Sequence, residues 1–130
     1  MIQKNATVAV LHDNKLLLLR RGSTAPWMPD RYCLPGGAVE DNESLVHAAS
    51  RELYEETRIV ALPKHMQSIE IKYSNYSKLV FVTHVTSNKV VLNFEHSESV
   101  WVHIGEIMKY KIVPGLSTVV LSLIHHKYLK

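Results

Sequence analysis

Apolar runs alternate with short polar breaks along the 130-residue chain, and their spacing sorts them into strands and helices. Residues 7–12 and 16–20, TVAVLH and LLLLR, flank the polar break Asp13-Asn14-Lys15, which fits a hairpin or tight strand connection. Residues 66–73 and 78–85 form a second pair of strand candidates around Ser74-Asn75-Tyr76-Ser77, and 89–92 and 100–104 read as two shorter strands. Residues 22–36 read as loop because Pro26, Pro29, Pro35 and Gly36 interrupt them. Two segments carry a helical period instead. In residues 44–57, Leu45, Ala48, Ala49 and Leu53 fall on one stripe; after Pro114-Gly115, residues Leu116, Val119, Val120, Leu123 and Ile124 repeat at i, i+3, i+4, i+7 and i+8. The expected architecture is α/β, a mixed β-sheet covered by helices on either side. With no repeat, low-complexity tract or linker, residues 1–130 are expected to form a single domain.

The helix expected over residues 44–57 has an unusual charge phase. Glu52, Glu55 and Glu56, at i, i+3 and i+4, fall on an arc that overlaps the edge of the apolar stripe, so the three carboxylates are expected to point inward. Two such charges about 6 Å apart at an effective dielectric near 20 repel by roughly 3 kcal/mol. Something cationic is therefore expected among them. Carboxylate oxygens without a neighbouring His or Cys suit Mg²⁺ or Mn²⁺ better than Zn²⁺. The alternative for an isolated ExxEE is a solvated acidic face paired with Arg51 and Arg58.

The surrounding residues favour the metal. From Gly37 the chain reads Gly, five residues, Glu43, seven residues, Arg51-Glu52-Leu53, one residue, Glu55-Glu56, one residue, Arg58, Ile59. Residues 37–59 thus resemble the Nudix box, GX₅EX₇REUXEEXGU with U aliphatic, at every defined position but one, and Leu34-Pro35-Gly36 resembles the LPGG that leads into it. Arg58 stands where the family has glycine. A glycine just past a helix end commonly adopts the left-handed conformation that closes the helix. A non-glycine residue there costs about 1–2 kcal/mol, so Arg58 is expected to lower stability or, alternatively, to reach a phosphate.

The resemblance implies a Nudix-type α/β/α sandwich and Mg²⁺-dependent hydrolysis of a phosphoanhydride, with Mn²⁺ able to substitute. It implies metal ligands at Glu52, Glu55, Glu56 and the carbonyl of Gly37, with Arg51 and Glu43 orienting the carboxylates through hydrogen bonds. The base that activates water is Glu52 or a carboxylate from a later loop. The stretch 93–102 resembles the Glu-His…Trp-Val pattern of several nucleotide-hydrolysing members, which maps the acid, also a metal ligand, to Glu95 and leaves Glu98 as the fallback. Arg20, Trp27 and Tyr76 are candidate substrate contacts, Tyr76 by its resemblance to the downstream Tyr of dinucleoside polyphosphate hydrolases. The simplest substrate is a (deoxy)nucleoside triphosphate, giving a monophosphate and pyrophosphate. Dinucleoside polyphosphate hydrolysis, removal of pyrophosphate from an RNA 5′ end or cap cleavage, and a non-catalytic nucleotide sensor are the alternatives.

Composition narrows the field modestly. A formal charge of +3 and a pI near 9.0 favour anionic partners, and 46% hydrophobic with 21% charged residues is ordinary for a globular domain. The N-terminal residues carry no leader pattern and no apolar run approaches a membrane span, so the expected location is cytoplasmic, with no membrane partner. The one cysteine, Cys33, reads as packing, which gives little support to isopentenyl diphosphate isomerase, a relative in fold. The eight histidines show no metal-ligand spacing.

Overall fold

The computed structural model describes residues 3–130. Strands β1 (Asn5–His12) and β2 (Lys15–Arg21) form the expected hairpin, and Asp13 and Asn14 turn it with φ of 52° and 57°. Left-handed conformations at both central residues match the right-handed twist of the flanking strands, and Asp and Asn tolerate them. Short strands β3 (Tyr32–Cys33) and β4 (Gly36–Ala38) follow, then α1 (Leu45–Thr57), β5 (Gln67–Lys72), β6 (Ser77–His84), β7 (His96–Val102) and α2 (Leu116–His125).

All seven strands join one mixed sheet. β1 lies parallel to β6, which pairs antiparallel with β5; β4 pairs antiparallel with the start of β1. β2 carries β7 along one side, with the end of β1 and then β3 along the other. Alternation along the central strands divides the core between the two faces. Val8, Val10, Leu17 and Leu19 meet Ala48, Ala49 and Leu53 of α1, whereas Ala9, Leu11, Leu16 and Leu18 meet Leu116, Val119, Val120 and Leu123 of α2. The run Leu16–Leu19 is wholly buried because both faces of the sheet are covered. This is the α/β/α sandwich expected from the pattern.

Three boundaries differ from expectation. Residues 89–92 form no strand. The sheet positions beside β1 and β6 are filled, so Val90 and Leu92 pack over the α1 face while the Val91 N–H donates to the Thr57 carbonyl at 3.0 Å. The last strand runs from His96 to Val102 instead of 100–104, because Ile104 opens a 3₁₀ turn through Lys109 whose first N–H groups are capped by His103. The loop expected over 22–36 contains β3 and the first residue of β4, each held by pairing with a longer strand.

Helix α1 begins where Ser44 Oγ accepts from the His47 N–H, an N-cap, and ends at Arg58. Arg58 has φ 62° and ψ 12°, and its N–H donates to the Tyr54 carbonyl. The arginine therefore adopts the left-handed closing conformation expected of glycine, with its guanidinium 5.0 Å from the Tyr54 ring centroid. Left-handed strain costs about 1–2 kcal/mol, and an exposed cation–π contact returns about 0.5–1 kcal/mol. Arg58→Gly should therefore raise the midpoint of thermal unfolding by a few degrees; a lower midpoint would mean that the Tyr54 contact outweighs the strain.

Candidate active site

The site forms where β4 meets α1. A Cβ added to Gly36 would lie 2.2 Å from the Ala6 carbonyl oxygen, and one added to Gly37 would lie 2.5 Å from the Glu52 carboxylate. At Gly36 the clash is with backbone, so only glycine lets the strand lie this close to β1; at Gly37 a side chain would push the Glu52 carboxylate aside. The Gly36 N–H donates to Glu56 Oε1 at 3.0 Å, which ties the strand to the last turn of the helix.

The three helix carboxylates do not all point inward. Glu56 is buried at 1% exposure and the Glu52 side chain is 12% exposed, but Glu55 is half exposed. The apolar stripe explains the split: Glu56 lies three residues beyond Leu53 and Glu52 four beyond Ala48, whereas Glu55 has only Arg51 one turn behind it. The expected cation among the acids is present as a side chain. Arg51 donates through Nε and Nη2 to both oxygens of Glu43 at 2.8 Å, through Nη1 to Glu52 at 2.8 Å and Glu55 at 3.3 Å, and through Nη2 to the Ala38 carbonyl at 2.9 Å. This fork clamps the helix to the end of β4. It holds the Glu43 carboxyl down at about 2 and raises the pKa of Arg51 itself.

Electrostatics distinguishes the two inner acids. Burial raises Glu52 above the ordinary carboxylate range, with Arg51 pulling the other way. Burial pushes Glu56 up to about 8; the Gly36 hydrogen bond opposes this, and the charges of Glu95, Glu52 and Glu55 add to it. Glu95 reaches the neighbourhood on the turn before β7, whose backbone is anchored by the Gly22 N–H donating to the Glu95 carbonyl at 3.1 Å. Glu98 does not. It accepts from the Tyr32 hydroxyl at 3.0 Å and pairs with Arg20 at 3.9 Å.

These donors suit a hard divalent cation in kind: buried carboxylates raised by desolvation and mutual repulsion, with a backbone approach kept open by glycine. Among the described residues, however, no three His, Cys, Asp or Glu side chains gather on one point. Arg51 instead holds Glu52 and Glu55 as ion pairs.

Two clefts adjoin the carboxylates. One, of about 350 Å³, is lined by Trp27, Arg21, Gly36, Gly37, Lys78 and Pro114 among others; the second, of about 410 Å³, by Thr24, Pro26, Glu56, Phe94 and Glu95. Of the expected substrate contacts, only Trp27 lines a cleft. Arg20 is engaged with Asp30 and Glu98, and Tyr76 stacks on Tyr73 with ring centroids 4.8 Å apart, lining neither cleft. The arginine that borders both is Arg21, stacked 5.3 Å from the Trp27 ring. Strand parity could have found it, since Arg21 shares a face with Leu17 and Leu19 while Arg20 faces away. Lys78, lowered in pKa by burial, and Phe94, 94% exposed, were also missed. A lone lysine at a strand start and a loop phenylalanine carry no distinctive spacing.

Cys33 and His96 lie beneath these clefts, Sγ to Nε2 3.8 Å, and His96 Nδ1 is buried with no hydrogen-bond partner. Burial pushes the thiol up to about 11 and lowers the imidazole. A thiol so protonated is packing, as the sequence suggested.

The NUDIX domain family model matches residues 1–123. The chain belongs to this family and is a hydrolase of nucleoside diphosphate derivatives. Among solved structures, a MutT protein from Methanosarcina mazei Go1 superimposes with a TM-score of 0.72 at 24% identity, covering 100% of both chains. An Ap4A hydrolase from C. elegans gives 0.74 at 19% identity, covering 95% of this chain and 97% of that one. A bifunctional NMN adenylyltransferase/ADP ribose pyrophosphatase from Francisella tularensis, complexed with AMP and a Mn ion, gives 0.76 at 18% identity over 97% of this chain and 43% of that one. No curated protein matches the sequence. No helix of the described residues is long and apolar enough to cross a membrane.

The raised Glu56 makes the metal-free chain pH-sensitive. Its carboxyl holds a proton more tightly folded than unfolded, so that stabilisation is complete below its ordinary value near 4.5 and is lost as pH rises through about 8. In chelator, stability should fall by a few kcal/mol across that window, and Glu56→Gln should flatten the slope. A wild-type profile that is level between pH 5 and 8 would contradict the burial of this acid.

Proposed function

We propose that the chain is a Mg²⁺-dependent pyrophosphohydrolase, with Mn²⁺ able to substitute, that converts a (deoxy)nucleoside triphosphate to a monophosphate and pyrophosphate. The observation that carries this reading is the pair of shielded carboxylates, Glu52 and Glu56, set against a glycine strand at the junction of two clefts bordered by Arg21. A polyphosphate brings negative charge to a place already crowded with it, and a divalent cation bound there neutralises both sides and polarises the phosphoryl oxygens.

The chain's own residues divide the remaining work. Glu52, Glu55, Glu56, Glu95 and the Gly37 carbonyl would hold the cation. Arg51, bidentate on Glu43, fixes the orientation of Glu52 and draws Glu55 toward the same turn. Arg21 and Lys78 offer positive charge to phosphates, and Trp27, half exposed, offers a face on which a base can stack. Glu52 would take the proton from the attacking water, with Glu95 the other candidate and Glu98 the fallback. The charge of Glu95 adds to the repulsion that raises Glu52.

One observation favours a second substrate. The clefts meet at Gly36 and Arg21 and each presents an exposed aromatic ring, Trp27 in one and Phe94 in the other. Such a pair suits a dinucleoside polyphosphate with a base at each end, the substrate class named for the C. elegans neighbour.

A phosphate-release screen with Mg²⁺ and with chelator, over nucleoside triphosphates, dinucleoside polyphosphates, nucleotide sugars and triphosphorylated RNA, tests both readings. Metal-dependent turnover is expected for triphosphates or dinucleoside polyphosphates, and binding without turnover would favour a sensor. Glu56→Gln keeps an acceptor for the Gly36 N–H and should retain the fold while losing about a hundredfold or more in kcat. Near wild-type turnover would remove Glu56 from the metal site. Glu95→Gln should lower kcat far more than Glu98→Gln, because Glu98 is occupied by Tyr32 and Arg20; the reverse order would assign the later carboxylate to Glu98.

A further inference from the structure

A cleft of about 660 Å³ is separate from the two that adjoin the carboxylates. It lies between the end of α1 with the segment that follows and the irregular segment after β6. Its volume falls within the range of small-molecule sites. Ile59, Ala61 and Val85 supply apolar lining, and Arg58, Lys89 and His65 supply basic groups; no Asp or Glu lines it. Neither Arg58 nor Lys89 has a carboxylate partner among the described residues.

Two further features belong to the lining. Thr83, on the α1 face of β6, borders the cleft and is only 3% exposed. Arg58 occupies a left-handed position that glycine would fill without strain, and such strain commonly persists where a side chain is needed. His84 also borders the cleft, its ring 6.0 Å from that of Tyr128.

We propose that this cleft is a second ligand site that takes a phosphomonoester of mononucleotide size, its phosphate held by Arg58 and Lys89 and its body lying on the apolar lining, with Thr83 donating or accepting a hydrogen bond. Charge complementarity selects this occupant: an apolar hollow with unpaired cations and no acid attracts an amphipathic anion and repels a cationic one. The wall formed by residues 85–91 leads within a few residues to Glu95 and is pinned to the helix end by the Val91–Thr57 hydrogen bond. An occupant therefore touches the same segment that delivers Glu95 to the carboxylates. The site does not depend on turnover.

Titration of the ¹⁵N-labelled chain with AMP in chelator, followed by amide spectra, tests the proposal. Saturable shifts are expected in residues 83–91, with adenosine producing none. Lys89→Glu, an exposed substitution that leaves the core untouched, should weaken AMP about tenfold, the loss of one charge-assisted hydrogen bond. Thr83→Val should weaken it by a smaller factor. Shifts confined to Gly36, Gly37 and their neighbours, an equal response to adenosine, or a response unchanged by Lys89→Glu would each overturn the proposal. So would movement of the same amides on simple dilution, which would show a second copy of the chain occupying the cleft.

Discussion

The absence of a Cβ at two consecutive positions governs this molecule's chemistry. Gly36 and Gly37 allow β4 to lie against β1 on one side and against the carboxylates of α1 on the other. A larger residue at Gly36 would push the strand off β1, and one at Gly37 would turn the Glu52 carboxylate away. The consequence is a backbone edge within reach of two acids that have left water, and the rest of the site is organised around that edge.

Crowding acids in this way is unfavourable by itself, and the fold contains the repulsion through Arg51. A guanidinium can satisfy Glu43 with two parallel hydrogen bonds while still reaching Glu52, Glu55 and the Ala38 carbonyl, which a lysine's compact ammonium could not do. Among the described residues, the pairing leaves Glu56 as the one acid of α1 with no basic partner. There its hydrogen bond comes from the Gly36 backbone, and its affinity for a proton reflects the same electrostatic deficit that a divalent ion would relieve. Structural cohesion and readiness for a cation thus share one origin.

Much of this was legible before any coordinates. Period-two alternation in 7–12 and 66–73 and the helical stripe of α2 follow from which residues can be buried together, and those elements stand where the pattern placed them. The spacing from Gly37 to Ile59 marked the acids and Arg51 because backbone geometry fixes which helix positions face the same strand. What failed was whatever depends on neighbours distant in sequence. Residues 89–92 look like a strand, but strand identity requires pairing with a neighbouring strand, and the Val91 N–H goes to the Thr57 carbonyl at the helix end instead. Glu55 was misplaced because a 100° arc cannot say where the protein surface cuts across it. Arg20 is the expected contact and Arg21 the one at the clefts, a single position that reverses the face of the strand.

The register of β7 against β2 slips by one residue between Arg20 and Arg21: Arg20 is opposite Glu98, but Arg21 is opposite His96, leaving Ser97 without a counterpart. That single supernumerary residue turns His96 to the same face as Arg21 and toward Cys33, while Glu98 stays with Arg20 and Tyr32 on the opposite one. Sequence length at this point is therefore itself a coded quantity. Loop tips ordinarily absorb gained or lost residues in the course of evolution, and removal of Ser97 would leave a regular ladder with His96 still opposite Arg21; one further inserted residue, by contrast, would put the imidazole out of phase with the interior and drag the Glu95 turn with it. Lineages of this fold that keep the two acids in their separate environments should thus tolerate loss of Ser97 far more readily than a second residue inserted beside it.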